Sequence, residues 1–423
     1  MAEMEKRLQN WAANLTYQAS KVHAPDSVAQ IQELVAVATK IRALGTRHSF
    51  SDLADTPDEL ISTAKLDRIL TIDRGAMTAT IEGGVTYGQL TSRLQAEGLA
   101  IHNLASLPHI SVAGACATAT HGSGDRNGNL ATAVSAMQVV IANGETVEFS
   151  RAKDPDQFSG AVVHLGGLGI VTQMTLDIQP TFQVRQEVFQ NVPIEAVDAH
   201  FYEITSSGYS VSLFTNLEKP SIDQVWVKSV GVGEPKKEFY GGTAATHHLH
   251  PLPDHSAVNC TDQMGIPGPW SERLAHFKLA FTPSSGEELQ TEFLVPRHHA
   301  LGAIQAVRGL KDRISPLLHI SEIRTIAADE LWMSPCYDQP CVGIHFTWRK
   351  NWESVRRLLP VIEDVLSPFH ARPHWGKLTT MASRKVIALY ERLPNFQTLL
   401  EKHDPQGKFR NDYLNRYVFG TEA

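Results

Sequence analysis

Long apolar runs are missing from this sequence. No stretch could cross a bilayer, and the N-terminus, Met1-Ala2-Glu3-Met4-Glu5-Lys6-Arg7, lacks the apolar core of a secretion signal. A membrane protein is not expected, and the cytoplasm is the expected compartment. Cysteine is scarce. The four present, Cys116, Cys260, Cys336 and Cys341, form no C-x-x-C pair, so neither a zinc site of that kind nor a disulfide framework is expected. A basic excess is also lacking: 38 Lys and Arg stand against 45 Asp and Glu, a net charge of -7, with no basic run to make a nucleic-acid footprint.

Several catalytic signatures are absent too. There is no G-x-x-x-x-G-K-[ST] loop for a nucleoside triphosphate. The nearest approach to a dinucleotide fingerprint, Gly122-Ser123-Gly124-Asp125-Arg126-Asn127-Gly128, has the wrong spacing and follows no predicted strand. The loop His121-Gly122-Ser123-Gly124 resembles an esterase oxyanion loop, but no G-x-S-x-G nucleophile elbow accompanies it. The cluster His247, His248, His250 and His255 matches no zinc spacing and lies among prolines, so it reads as a surface loop. No metal is expected.

What is there is a globular chain of 423 residues, 42% hydrophobic, long enough for two or three domains. A capping pattern at Ser27-Val28-Ala29-Gln30 opens a helix with Val28, Ile31, Leu34, Val35 and Ala38 at helical spacing. A short buried strand over 41–45 then runs into the loop Thr46-Arg47-His48-Ser49. Strands are predicted near 60–63, 69–72 and 78–82, a helix over 87–97, and a hairpin with a type I′ turn at Asn143-Gly144. From about residue 181 the runs become longer and richer in aromatics, as β-sheet requires, with helices near 299–310 and 353–366.

Two features point to chemistry. Residues 102–129 are dense in Gly, Ala, Ser and Thr, so backbone N–H groups there can approach a phosphate or flat ring closely. With the Gly45 loop, this segment could enclose a pyrophosphate. Farther on, Glu322-Ile323-Arg324, Ile344-His345-Phe346-Thr347-Trp348 and His374-Trp375-Gly376-Lys377 place polar groups two apart in otherwise apolar strands. Buried polar groups need partners, either each other or a polar ligand such as a polyhydroxylated molecule.

Taken in order, these runs resemble the alditol oxidases, sugar-alcohol oxidases of the vanillyl-alcohol-oxidase flavoprotein superfamily. The likeness is carried by Gly45 to Ser49, Ala105-Ser106-Leu107-Pro108-His109-Ile110-Ser111-Val112-Ala113-Gly114 and Thr120-His121-Gly122-Ser123-Gly124. It continues through Gly265-Ile266-Pro267-Gly268-Pro269-Trp270, Phe281-Thr282-Pro283-Ser284-Ser285-Gly286, Glu322-Ile323-Arg324-Thr325 and Ala371-Arg372-Pro373-His374-Trp375-Gly376-Lys377.

The resemblance implies an α+β protein: an FAD-binding domain over 1–180, a β-sheet substrate domain over 181–380, and a segment 381–423 that returns to the first. It implies FAD bound covalently through His48 and contacted by Leu44, Gly45, Thr46, Arg47, Ser49, Ser106, Ser111, Gly114, Thr118, Thr120, His121, Gly122 and Ile170. For the substrate it implies Ser106, Glu322, Arg324, Thr347 and Lys377, with Arg324, Lys377 and His345 catalytic and the proton acceptor either His345 or Lys377. The implied reaction converts the terminal hydroxyl of an alditol to an aldose while oxygen, admitted past the small Ala105, becomes peroxide. The sequence leaves the oligomeric state open, a monomer being compatible with it. The family loop commonly has glycine where this chain has Arg47, which removes easy access to positive φ but adds a charge able to meet a phosphate. The alternatives are a dehydrogenase of the same fold using another acceptor, a hydrolase using His121, and a non-catalytic polyol binder.

Overall fold

A computed structural model describes residues 7–281 and 287–421; residues 1–6, 422–423 and 282–286, the last within the family-like Phe281–Gly286 run, lie outside the described residues. Near the N-terminus the helix Val28–Val37 buries Ile31 and Val35 against Ile41, Ile61 and Phe409. Ser27 caps it by accepting from the Gln30 N–H at 3.4 Å. The Gln30 side chain, however, accepts from Asp26 (3.0 Å) rather than Ser27, so the predicted capping box is only half made.

A three-stranded parallel sheet places Glu59–Ser62 between Lys21–His23 and Ile41–Leu44. A five-stranded antiparallel sheet follows in the order Ile69–Asp73, Thr78–Glu82, Ile170–Asp177, Val134–Val140, Thr146–Ser150. The last two strands form the expected hairpin, but its turn differs. Gly144 takes positive φ (86°) while Asn143 does not, and the Gly144 N–H donates to Ile141 O at 2.8 Å. This is a type I turn closed by a left-handed glycine. A type I′ turn would need positive φ at both central residues.

The middle of the chain builds one large sheet. Its central order is Gln183–Pro193, Ser221–Val230, Ser210–Thr215, Leu318–Ile326, Cys341–Arg349, Glu288–Pro296. Register sorts its two faces. Ile344 pairs with Ile323 on one side and Phe293 on the other, whereas the next residue, His345, pairs with Glu322 and Glu292. Successive strand residues face opposite ways, so the apolar row joins the core and the polar row shares the other face. The helix Ala300–Arg308 packs on Glu288–Pro296 and Cys341–Arg349.

The chain's far end lies against its beginning. Ile41 N donates to Lys408 O (3.1 Å), Asn411 donates to Leu53 O (3.0 Å) and Asp55 O (2.8 Å), and the buried Arg42 reaches Phe409 O. The four cysteines are free and buried, and among the described residues no helix is long and apolar enough to cross a membrane.

Candidate active site

A cavity of about 650 Å³ runs from Arg42, Leu53 and His164 past the Gly45–Ser49 loop to the polar face of the large sheet. Two loops form its first half. The Ser111 N–H donates to Thr46 Oγ1 (3.1 Å), which ties them together. Their approach leaves no room for side chains: a Cβ on Gly45 or Gly114 would meet Ser111 Oγ at 2.8 or 2.7 Å.

His48 stands between the loops, stacked on Trp11 at 5.8 Å. Burial, helped by the neighbouring His109, pushes its pKa down to about 4, so the ring is neutral at ordinary pH. Its Nδ1 is buried without a hydrogen-bond partner. The preceding Arg47 sits at φ 62°, the left-handed region that glycine enters at no steric cost. Its guanidinium donates to Gln9 O (2.9 Å), and the exposed residue also lines the cavity.

Leu44, Thr46, Ser49, Ser106, Thr118, Thr120 and His121 also line this cavity. Gly122 and Ile170 do not. A Cβ on Gly122 would strike Leu104 O at 2.4 Å, so that glycine serves packing, and Ile170 is wholly buried beside Ile31 and Phe409.

The second half of the cavity holds Glu322, Arg324, His345, Thr347 and Lys377 together with Glu292 and Gln290. Arg324 Nη2 donates to Glu292 Oε1 at 3.0 Å, and its Nε lies 3.6 Å from Glu322 Oε1. Burial works to raise both carboxyls, but charge overcomes it. His121 and Arg324 hold Glu292 well below the usual carboxylate range, and the charge of Arg324 with a hydrogen bond from His276 does the same for Glu322. Burial drives His345 down to about 3, and its Nδ1 lacks a partner, as does Arg324 Nε. Lys377 donates to Gln290 Oε1 and lies 4.9 Å over the Phe50 ring; burial brings its pKa to about 8.

The two halves are joined through backbone. Phe50 N donates to Gly376 O (2.8 Å) and Ser51 Oγ to Trp375 O (2.9 Å), so the loop bearing His48 is fastened to the loop bearing Lys377.

Glu292 and Gln290 escaped the sequence reading, although their two-residue spacing in Glu288–Pro296 is the signal that singled out Glu322 and Arg324. His250 and His255, read as a surface loop, line the cavity's outer part. One ligand atom each from His121, Glu292 and His374 lies within 4.8 Å of the others. Arg324 supplies a positive charge beside Glu292, with Nη2 3.0 Å from the Glu292 carboxylate.

Comparison with known proteins gives a consistent picture. A family model described as "FAD binding domain" matches residues 19–150, and one described as "D-arabinono-1,4-lactone oxidase" matches residues 285–417. The chain is 43% identical to an alditol oxidase from Streptomyces sp. over 99% of this chain and 100% of that protein. It is 26% identical to an L-gulonolactone oxidase from Mus musculus, over 98% of each chain. It is 27% identical to an L-gulono-1,4-lactone dehydrogenase from Mycobacterium tuberculosis, over 97% of this chain and 98% of that one. Among solved structures, cholesterol oxidase from B. sterolicum superposes with a TM-score of 0.78 over 97% of this chain and 96% of that chain at 15% identity, a likeness of fold alone.

Proposed function

We propose that this chain, which belongs to the alditol oxidase family of FAD-dependent oxidoreductases, oxidises a terminal hydroxyl of an open-chain polyol to an aldehyde and passes the electrons to oxygen. The observation that carries the reading is the pair of buried, unpartnered polar atoms, Arg324 Nε and His345 Nδ1, in the wall of a cavity that also holds Glu322, Thr347 and Lys377. Buried polar atoms left unpaired cost free energy, and a polyol supplies hydroxyls for each.

The cavity suits FAD. Its first half is a close-backed channel of small residues ending at the unpartnered His48 Nδ1, which we take as the covalent attachment point. Thr46, Ser111, Gly114, Thr118 and Thr120 would hold the cofactor, residues 1–180 with 381–423 forming its domain and 181–380 covering it. When bound, FAD would supply the acceptor for the hydride, and with it the two electrons, that leaves the alcohol carbon. The protein's part is orientation and charge. Lys377 and Arg324 stabilise negative charge growing on the reacting oxygen. His345 takes the hydroxyl proton: it is neutral, its Nδ1 is free, and Glu322 and Glu292 on the adjoining strands stabilise the imidazolium that results. Ser106, Glu322 and Thr347 bind the remaining hydroxyls, which favours longer polyols over apolar alcohols.

The test is anaerobic addition of xylitol, sorbitol or glycerol, then air. The flavin should bleach, recover in air and yield one peroxide per polyol. Failure of every polyol to bleach it would refute the reading. Recovery with a quinone or dye but not with air would make the protein a dehydrogenase, the activity named for its mycobacterial relative.

A further inference from the structure

Behind the substrate wall lies a buried lysine that no catalytic step uses. Lys228, on the strand Ser221–Val230, is 1% exposed. Its three ammonium protons have three acceptors: Leu274 O (2.5 Å), Ala275 O (3.2 Å) and His276 Nδ1 (3.1 Å). His276 is itself wedged edge-on against Phe214 and Trp226, with centroids 5.6 and 5.3 Å away, so its ring has little freedom to turn. Its other nitrogen, Nε2, lies 2.8 Å from Glu322 Oε1.

We propose that Lys228 and His276 form a positioning dyad that fixes Glu322 as a hydroxyl acceptor and so sets the enzyme's preference for polyols. The logic is one of protons. Burial brings the Lys228 pKa down to about 7 against the opposing pull of Glu322. Its ammonium form can only donate, so His276 Nδ1 is then the acceptor and the neutral ring carries its hydrogen on Nε2, the tautomer that the Glu322 carboxylate 2.8 Å away also requires. That hydrogen goes to Glu322 Oε1, the same oxygen that Arg324 Nε approaches at 3.6 Å. Oε2 is the oxygen left for a substrate hydroxyl. The opposite tautomer would set a lone pair against the carboxylate and turn it out of line. Burial, with Lys228 beside it, pushes His276 down to about 4, which agrees with a neutral ring. Neither residue touches the reacting carbon. Their effect is on binding, through the carboxylate they aim.

This inference rests on the polyol reading above. It is tested by anaerobic bleaching across a series of polyol concentrations, which separates the dissociation constant from the limiting rate. His276→Leu removes the donor and should weaken polyol binding about 10-fold or more, the scale of one hydrogen bond to a charged group. The limiting rate should stay within about threefold, well short of the loss seen when a donor to the reacting oxygen is removed. His276→Gln keeps an N–H donor at the Nε2 position and should bind polyol close to wild type. Lys228→Met frees Nδ1 to take the proton and should resemble His276→Leu. Equal polyol binding by His276→Leu and wild type would overturn the dyad. So would a His276→Gln variant as weak as His276→Leu, since the loss would then be one of packing. A wild type that no polyol bleaches would overturn the functional reading and the dyad together, whereas the first two outcomes leave the reading standing.

Discussion

Lys377 is the residue whose chemistry depends most on its surroundings. In water its ammonium would stay charged to about pH 10.4. Here burial dominates, Glu292 and Arg324 pull in opposite directions, and the pKa falls to about 8. The sign of the pH dependence therefore distinguishes its roles. If the charge stabilises the reacting oxygen, the limiting rate of flavin bleaching is full below about 8 and falls as pH rises through it. A lysine acting as base would give a rate that rises over the same range. We expect the fall, measured by stopped-flow under anaerobic conditions. Lys377→Met should abolish this step in the profile and lower the rate on the order of 10²–10³. Arg47 teaches a different lesson at the same scale. The backbone keeps the left-handed geometry that a glycine would take freely, and an arginine adopts it, its guanidinium donating to Gln9 O at the cavity's edge.

The element that makes the site is the trio of strands Leu318–Ile326, Cys341–Arg349 and Glu288–Pro296. Its polar row works because one position has no side chain. Gly343 lies between Arg324 and Leu294 in register, and a Cβ there would stand 3.0 Å from Glu292 Oε1 and 3.5 Å from His121 Cε1. Glu292 cannot yield easily, being held by Arg324 and His121. Gly343→Ala should therefore displace the carboxylate and with it the guanidinium. Because small misplacements of catalytic groups cost up to about 10²-fold, we expect kcat/KM for polyol to fall on the order of 10–10². Stability should drop by only about 1–3 kcal/mol, the ordinary cost of overpacking. Steady-state assays beside a thermal melt would separate the two effects. An unchanged kcat/KM would show that the ion-pair network tolerates a shift.

At the scale of the whole molecule, the site depends on the two chain ends meeting. Arg42 donates to Phe409 O, to Leu53 O (2.6 Å) and to Leu165 O (3.0 Å), and Lys408 reaches back to Val35 O. Phe409 is fully buried among Ile31, Val35, Ile41 and Ile61. Truncating a buried phenylalanine costs about 3–5 kcal/mol, so Phe409→Ala should lower the free energy of unfolding by that much, read from the shift of the urea or thermal transition. Flavin content should fall with it, because the Gly45–Ser49 loop follows directly on the strand Ile41–Leu44. The bleaching rate per bound flavin should not change, since no catalytic group touches Phe409. Loss of rate without loss of stability would contradict this division of labour.

The sequence alone determined the local elements. The helix Val28–Val37 and the strand Ile41–Leu44 follow from periodicity that neighbouring residues impose on one another. Alternation placed Glu322 with Arg324, and His345 with Thr347, on shared faces, while the family likeness singled out His48 and Lys377. Tertiary structure decided what stands behind those residues. Glu292 reaches Arg324 from 32 positions away, and His276 reaches Glu322 from 46. No local pattern encodes such pairs, because strand register and loop packing bring them together. It also decided the hairpin turn, where strand pairing favoured a type I turn over the dipeptide's own preference. The pKa values of His345 and Lys377 belong to the fold as well, since burial, their chief cause, arises only when the chain closes around them.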